Sequence, residues 1–133
     1  MDYKITYFEK HNDERGDLVV FLRNSDLAKQ QKKFGQIYFV TFSKKGIIRG
    51  NHYHKKWREW FGIVAGKLQV VLENIKTKEK KTITLDAKWN KYVRLEIGPY
   101  IAHTIISIDK YSALLNYTNL EWNKYDTFQY KLL

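Results

Sequence analysis

The chain has 133 residues, 44% of them hydrophobic and 16% aromatic against 29% charged, with a formal net charge of +10. That length suits one domain, residues 1–133, within the roughly 100 to 200 residues usual for a domain, and the apolar and aromatic content excludes a chain that stays unfolded. Cysteine is absent, so disulfides, thiolate metal sites and cysteine nucleophiles are excluded, and any metal must be held by nitrogen and oxygen.

The opening stretch MDYKITYFEK carries no apolar signal region, and no later run approaches the ~18 uninterrupted apolar residues of a membrane span. A cytoplasmic protein without membrane insertion is expected. His11 lies in a polar run and reads as a solvated side chain. GDLVVFLR over 16–23 reads as the first strand, and NSDLAKQQKKF over 24–34 as the one helix-like piece, with Asn24 or Ser25 as its cap. GQIYFVTFS over 35–43 reads as the next strand, and EWFGIVAGKLQVVLEN over 59–74 holds two apolar runs that AGK at 65–67 divides as a hairpin or bulge would. KTKEKK at 76–81 is a charged turn before KTITLDA (81–87), followed by YVRLEIG (92–98), HTIISI (103–108) and SALLNYTNL (112–120). Lysine is spread over the whole chain, which fits a solvated surface and argues against a nucleic-acid partner. Short strands at regular spacing predict an all-β sandwich or barrel, whose edges must be closed or paired with another subunit.

The chemistry concentrates between Gly46 and Gly66. His52 and His54, two apart on a strand, present their rings to one face, because the side-chain period of a strand is two. Glu59 opens the next strand and can return a carboxylate to the imidazoles, and nitrogen with carboxylate is a ligand set for a first-row divalent ion. His103 follows the Gly98-Pro99 turn and can enter the same barrel from across the sheet.

Gly46, five residues, His52, one residue, His54, four residues, Glu59, six residues and Gly66 together resemble the first motif of the cupin superfamily. Gly98, Pro99 and His103 resemble its second motif, one residue short between the proline and the histidine and without the usual glycine there. The resemblance implies a single-domain double-stranded β-helix, the jelly-roll barrel. Asn12-Asp13-Glu14-Arg15-Gly16, Gln36-Ile37-Tyr38 and Arg49-Gly50-Asn51-His52-Tyr53-His54 narrow the likeness to bacterial nucleotide-sugar cupins acting on 4-keto-6-deoxy sugars. Three groups compete: dTDP-4-keto-6-deoxyglucose 3,4-ketoisomerases, dTDP-4-dehydrorhamnose 3,5-epimerases, and the metal-binding C-terminal cupin domain of capsular polysaccharide epimerase-reductases. The first group has Gln where this chain has Glu59 and an Asp-Tyr-Ile-Arg segment where it has Asn123 to Phe128; the capsular cupin resembles the chain most.

The implied function is isomerisation of a nucleotide-linked 4-keto-6-deoxy sugar for bacterial surface polysaccharide, as a C3 epimerase or a 3,4-ketoisomerase. A ketone at C4 acidifies the C3 proton, so the reaction needs a base and a group to hold the enolate oxygen. His52 and His54 are the candidate bases and Tyr117 the candidate acid, with Tyr38 and Tyr53 as further acids. Arg15 and Arg49 suit a pyrophosphate, since guanidinium forks match phosphate oxygens, and Tyr38 and Asn51 join them as candidate substrate-binding residues. Alternatively His52, His54, Glu59 and His103 hold one divalent metal, zinc first among them; no organic cofactor is implied. By the same resemblance the chain forms a homodimer in which Arg15 reaches the neighbour's site. A noncatalytic metal-binding cupin for a sugar or small acid would use the same barrel.

Overall fold

The computed structural model describes residues Met1–Leu133. In chain order the strands are β1 (Tyr3–Glu9), β2 (His11–Asp13), β3 (Gly16–Leu18), β4 (Gln36–Phe42), β5 (Ile48–Tyr53), β6 (Glu59–Ala65), β7 (Lys67–Asn74), β8 (Lys80–Asp86), β9 (Lys91–Ile97), β10 (Ile101–Ser107), β11 (Ser112–Thr118) and β12 (Phe128–Gln129). Two five-stranded antiparallel sheets form, in the orders β1-β9-β6-β11-β4 and β12-β5-β10-β7-β8, and β2 and β3 make a separate hairpin. Phe42, Phe61, Ile63, Val93, Leu95, Ile97 and Leu114 from the first sheet pack with Leu68, Val70, Leu72, Ile83, Leu85, Ile101 and Ile105 from the second in one buried cluster. Along β7 alternate residues are buried, as a strand with one face on a core requires. Removing each of these side chains from water contributes about 1.5–3 kcal/mol. This is the all-β cupin barrel that the motif implied. No helix is long and apolar enough to cross a membrane.

Gly66 is the corner at which the chain leaves one sheet for the other. It has a φ of +78°, and a Cβ there would lie 2.1 Å from the Tyr111 carbonyl oxygen. Of the hairpin or bulge expected at 65–67, no hairpin forms, since β6 pairs with β9 and β11 whereas β7 pairs with β8 and β10; the register of β6 against β11 does shift between Ile63 and Ala65, as a bulge there requires. The charged turn after β7 does close a hairpin, with the Asn74 side chain accepting from the backbone N–H groups of Lys76 and Thr77 at 2.9 and 3.1 Å.

Two other expectations are corrected. Only Gly16–Leu18 of the 16–23 segment is strand. Beyond it the backbone is held by a side chain instead of a ladder: Arg94, buried on β9, donates to the Phe21 carbonyl at 2.8 Å and pairs with Asp26 at 3.0 Å. The helix expected over 24–34 is two single 3-10 turns, Asn24–Asp26 and Lys29–Gln31. Asp26 accepts from the Arg23 N–H and Gln31 from the Ala28 N–H. Such local side-chain bonds compete with helix propagation, and the segment has no buried face to reward a longer helix.

Candidate active site

His52 sits near the end of β5, directly opposite His103 on β10. Gly50 makes this pairing possible. Its φ is +103°, and a Cβ would meet the His103 carbonyl oxygen at 2.7 Å, so only glycine lets β5 approach β10 where the register shifts between His103 and Thr104. The imidazoles of His52 and His103 meet edge to face with centroids 4.7 Å apart. His54 is one residue beyond the strand, yet its ring remains 5.0 Å from that of His52. One ligand nitrogen from each of the three histidines lies within 4.8 Å of the others. Glu59, at the start of β6, brings Oε2 to 3.4 Å from His103 Nε2. His54, Glu59 and His103 are buried, and His52 is half-buried.

The ring orientations have backbone causes. His54 Nδ1 lies 2.6 Å from the Asp126 carbonyl oxygen, and His103 Nδ1 lies 3.3 Å from that of Ile101. An Nδ1–H donated to a carbonyl fixes the tautomer and leaves the Nε2 lone pair for a proton or a metal. Asp126 is itself anchored, its carboxylate accepting from the Lys55 and Lys56 N–H groups at 2.9 and 3.2 Å, and Trp57 stacks on His54 at 4.4 Å.

Burial, then the imidazoles of His103 and His54, push His52 down to about 3. Burial and His54 push His103 down to about 4, against the opposing pull of the Ile101 carbonyl. Both rings are therefore neutral at pH 7, and the contact between His103 and Glu59 is not an ion pair there. Burial raises Glu59 above the usual carboxylate range, while His54, Asn116 and Tyr38 pull it down. Burial and the neighbouring Glu59 raise Tyr38, which keeps its phenolic proton. Neutral imidazoles with free Nε2 atoms beside a carboxylate are donors that fit a divalent ion.

His52, His103, Glu59 and Tyr38 line a cavity of about 210 Å³, together with exposed Arg49 at its rim, Phe42, Phe61 and Asn116, whereas the His54 ring is outside this lining. Of the substrate-binding candidates, Tyr38 and Arg49 reach the cavity; two others do not. Asn51, at φ +56°, turns away and binds the C-terminal strap, accepting from the Leu132 and Leu133 N–H groups at 2.8 and 3.2 Å. Arg15 is at the tip of the β2–β3 turn, 86% exposed and paired with Asp13. Tyr117 requires a correction as well. It lies on the opposite face of β11 from Asn116, packs against Trp60 and donates to the Lys33 carbonyl at 2.9 Å, outside the cavity. Tyr53 stacks on Phe128. Asn116 and Asp126 were not singled out from the sequence; the one available signal was an amide in the middle of the apolar run SALLNYTNL.

Residues 11–128 match the family described as Polysaccharide biosynthesis C-terminal domain. The chain is 30% identical over 103 residues to the TDP-4-oxo-6-deoxy-alpha-D-glucose-3,4-oxoisomerase of Aneurinibacillus thermoaerophilus, covering 77% of this chain and 68% of that one. Its fold matches the dTDP sugar isomerase of Desulfovibrio desulfuricans with a TM-score of 0.84 at 19% identity, covering 98% and 84% of the two chains. It also matches a 3'-monoepimerase of Streptomyces bikiniensis, solved with dTDP-quinovose, with a TM-score of 0.83 at 14% identity, over 96% and 68%. With its double sheet closed around the His52, His54 and His103 cluster, and with this match over most of its length, the chain belongs to the polysaccharide biosynthesis C-terminal domain family and shares the cupin fold of dTDP-sugar isomerases and epimerases.

Proposed function

We propose that the chain is a cytoplasmic isomerase of a nucleotide-linked 4-keto-6-deoxy sugar in bacterial surface polysaccharide biosynthesis, of C3-epimerase or 3,4-ketoisomerase type. The observation that carries this is the cavity whose wall holds His52, His103, Glu59 and Tyr38 and whose rim holds Arg49. His52 is the most open of the three imidazoles. Being neutral at pH 7 it can accept the C3 proton, and the enolate formed offsets the charge it acquires. Tyr38, which keeps its own proton, returns one to the intermediate. Return to C3 from the other face gives the epimer; return to C4 after carbonyl migration gives the 3-ketone. Arg49 is placed to hold the pyrophosphate at the rim. Incubation with dTDP-4-keto-6-deoxyglucose, followed by NMR of the sugar, is expected to show a C3 epimer or a 3-keto sugar. Saturable binding with unchanged sugar would favour a noncatalytic binding cupin.

The three imidazoles also fit one divalent ion, zinc before the others, with the Glu59 carboxylate beside His103 as the proposed fourth ligand, and a bound ion would supply Lewis-acid polarisation of the ketone. The two roles of His52 exclude each other, and metal content decides between them. If the cluster holds metal, gently purified protein carries about one first-row divalent ion per chain, with occupancy lowered in His52→Ala or Glu59→Ala. Metal-free protein with full activity, unchanged on metal addition, would contradict the metal role.

A homodimer is proposed on the open edge of β4. Its outward residues Ile37 and Phe39 are 59% and 75% exposed, and the strand has no partner on that side. Sedimentation at micromolar concentration should give a dimer, and Phe39→Lys should shift it toward monomer. Mixed dimers of Arg15→Ala with an inactive His54 variant should regain activity if Arg15 completes the neighbour's site. A wild-type monomer would end both expectations.

A further inference from the structure

Among the buried side chains one polar atom has no partner: Oδ1 of Asn116, in a residue only 1% exposed. An unpartnered buried carbonyl costs free energy comparable to a lost hydrogen bond, so it calls for an explanation. The rest of the side chain is fully engaged. Asn116 Nδ2 donates to the Tyr38 hydroxyl oxygen at 2.5 Å and to Glu59 Oε1 at 3.3 Å. Turning the amide over would set its carbonyl against Glu59 Oε1, so the Glu59 contact favours the orientation in which the NH2 end faces Tyr38 and Glu59 and the carbonyl is left over. Asn116 lies on the inward face of β11 and forms part of the cavity wall with Tyr38, Arg49, His52, Glu59 and His103.

From this arrangement we infer that Asn116 is a substrate-binding residue, whose carbonyl accepts a hydrogen bond from a ring hydroxyl next to the reacting carbon. Its NH2 end meanwhile holds Tyr38 and Glu59 in place. The inference rests on the sugar-isomerase function proposed above and adds the group that the site reads. In a sugar with a ketone at C4 and a deoxygenated C6, the hydroxyls near the reacting C3 are those on C2 and C3. A donor from the sugar is what the site lacks, since every other polar group on Asn116 is already paired. A sugar without the recognised hydroxyl would leave the carbonyl unpaired in the complex, and sites built to bind a hydroxyl reject such analogues.

The test is a cycle between the residue and the substrate. Exchange of the C3 proton in deuterated water is followed for the parent nucleotide-linked 4-keto sugar and for its 2-deoxy and 3-deoxy analogues, with wild type, Asn116→Leu and Asn116→Ala. For wild type, one analogue should fall by about 10- to 100-fold in kcat/KM relative to the parent. For either variant that retains the wild-type circular dichroism spectrum, the same analogue and the parent should differ by less than about threefold. A merely structural role for Asn116 would slow all three sugars alike and leave the discrimination intact, which overturns the inference. Wild type that treats both analogues like the parent overturns it too, whatever the variants do. Wild type that exchanges no proton of the parent sugar removes the isomerase function itself, a distinct failure that takes the inference with it.

Discussion

Replacing His52 with Asn is expected to lower C3 proton exchange by about 10²- to 10⁴-fold, the range general bases usually contribute. Asn keeps the size and polarity of a half-buried position, so the fold should survive, and circular dichroism would check it. Two tyrosines supply the contrast. Tyr38→Phe removes the proposed donor on the cavity wall, so product formation should fall by about 10²-fold or more while C3 exchange stays measurable. Tyr117→Phe removes only a bond to the Lys33 carbonyl, about 1 kcal/mol of stability, and should leave exchange within about twofold. Equal losses from both tyrosine variants would contradict the assignment of the two faces of β11 and β4.

Acidification is expected to destabilise the protein well before its carboxylates titrate. His52 and His103 stand at about 3 and about 4 in the folded chain, against about 6.5 when unfolded. Between those values the unfolded chain binds protons that the folded one refuses. The stability is therefore fully present above about pH 6.5 and is lost as pH falls toward the folded values. Two such groups give a slope of up to about 2.7 kcal/mol per pH unit in that window. Glu59 works the other way, because its raised folded value binds a proton more readily than the unfolded carboxylate, and the net slope is smaller. Urea unfolding at pH 7, 6 and 5 with a chelator present should show stability falling with pH in wild type, and roughly half that fall in His52→Asn. The chelator matters because metal binding to imidazole is itself pH-dependent. A flat wild-type profile from pH 7 to 5 would contradict the burial of neutral histidines.

The histidines, Glu59 and the barrel were legible because the first motif fixes five positions at set spacing, and spacing on adjacent strands becomes proximity. What spacing could not give is which face of a strand points inward. Asn116 and Tyr117 are neighbours on β11, and a shift of one residue exchanges cavity for exterior. The registers Asn116↔Tyr38 and Asn116↔Phe61 decide the matter, and they depend on pairings between distant segments. Asn51 was placed at the site by resemblance alone, although a period of two already sets it on the opposite face from His52, where it accepts from the Leu132 and Leu133 N–H groups. The 19–23 segment looks like a strand by composition, but its backbone is held at Phe21 by Arg94, 73 residues away, which no local pattern announces.

The most direct measurement is deuterium uptake at C3 of dTDP-4-keto-6-deoxyglucose in deuterated water, catalysed by wild type and by His52→Asn. The expected result is catalysed exchange at C3 for wild type and its loss in the variant. Exchange equal in the two proteins, with both folded, would contradict proton abstraction by His52, and no exchange in either would contradict an isomerase altogether.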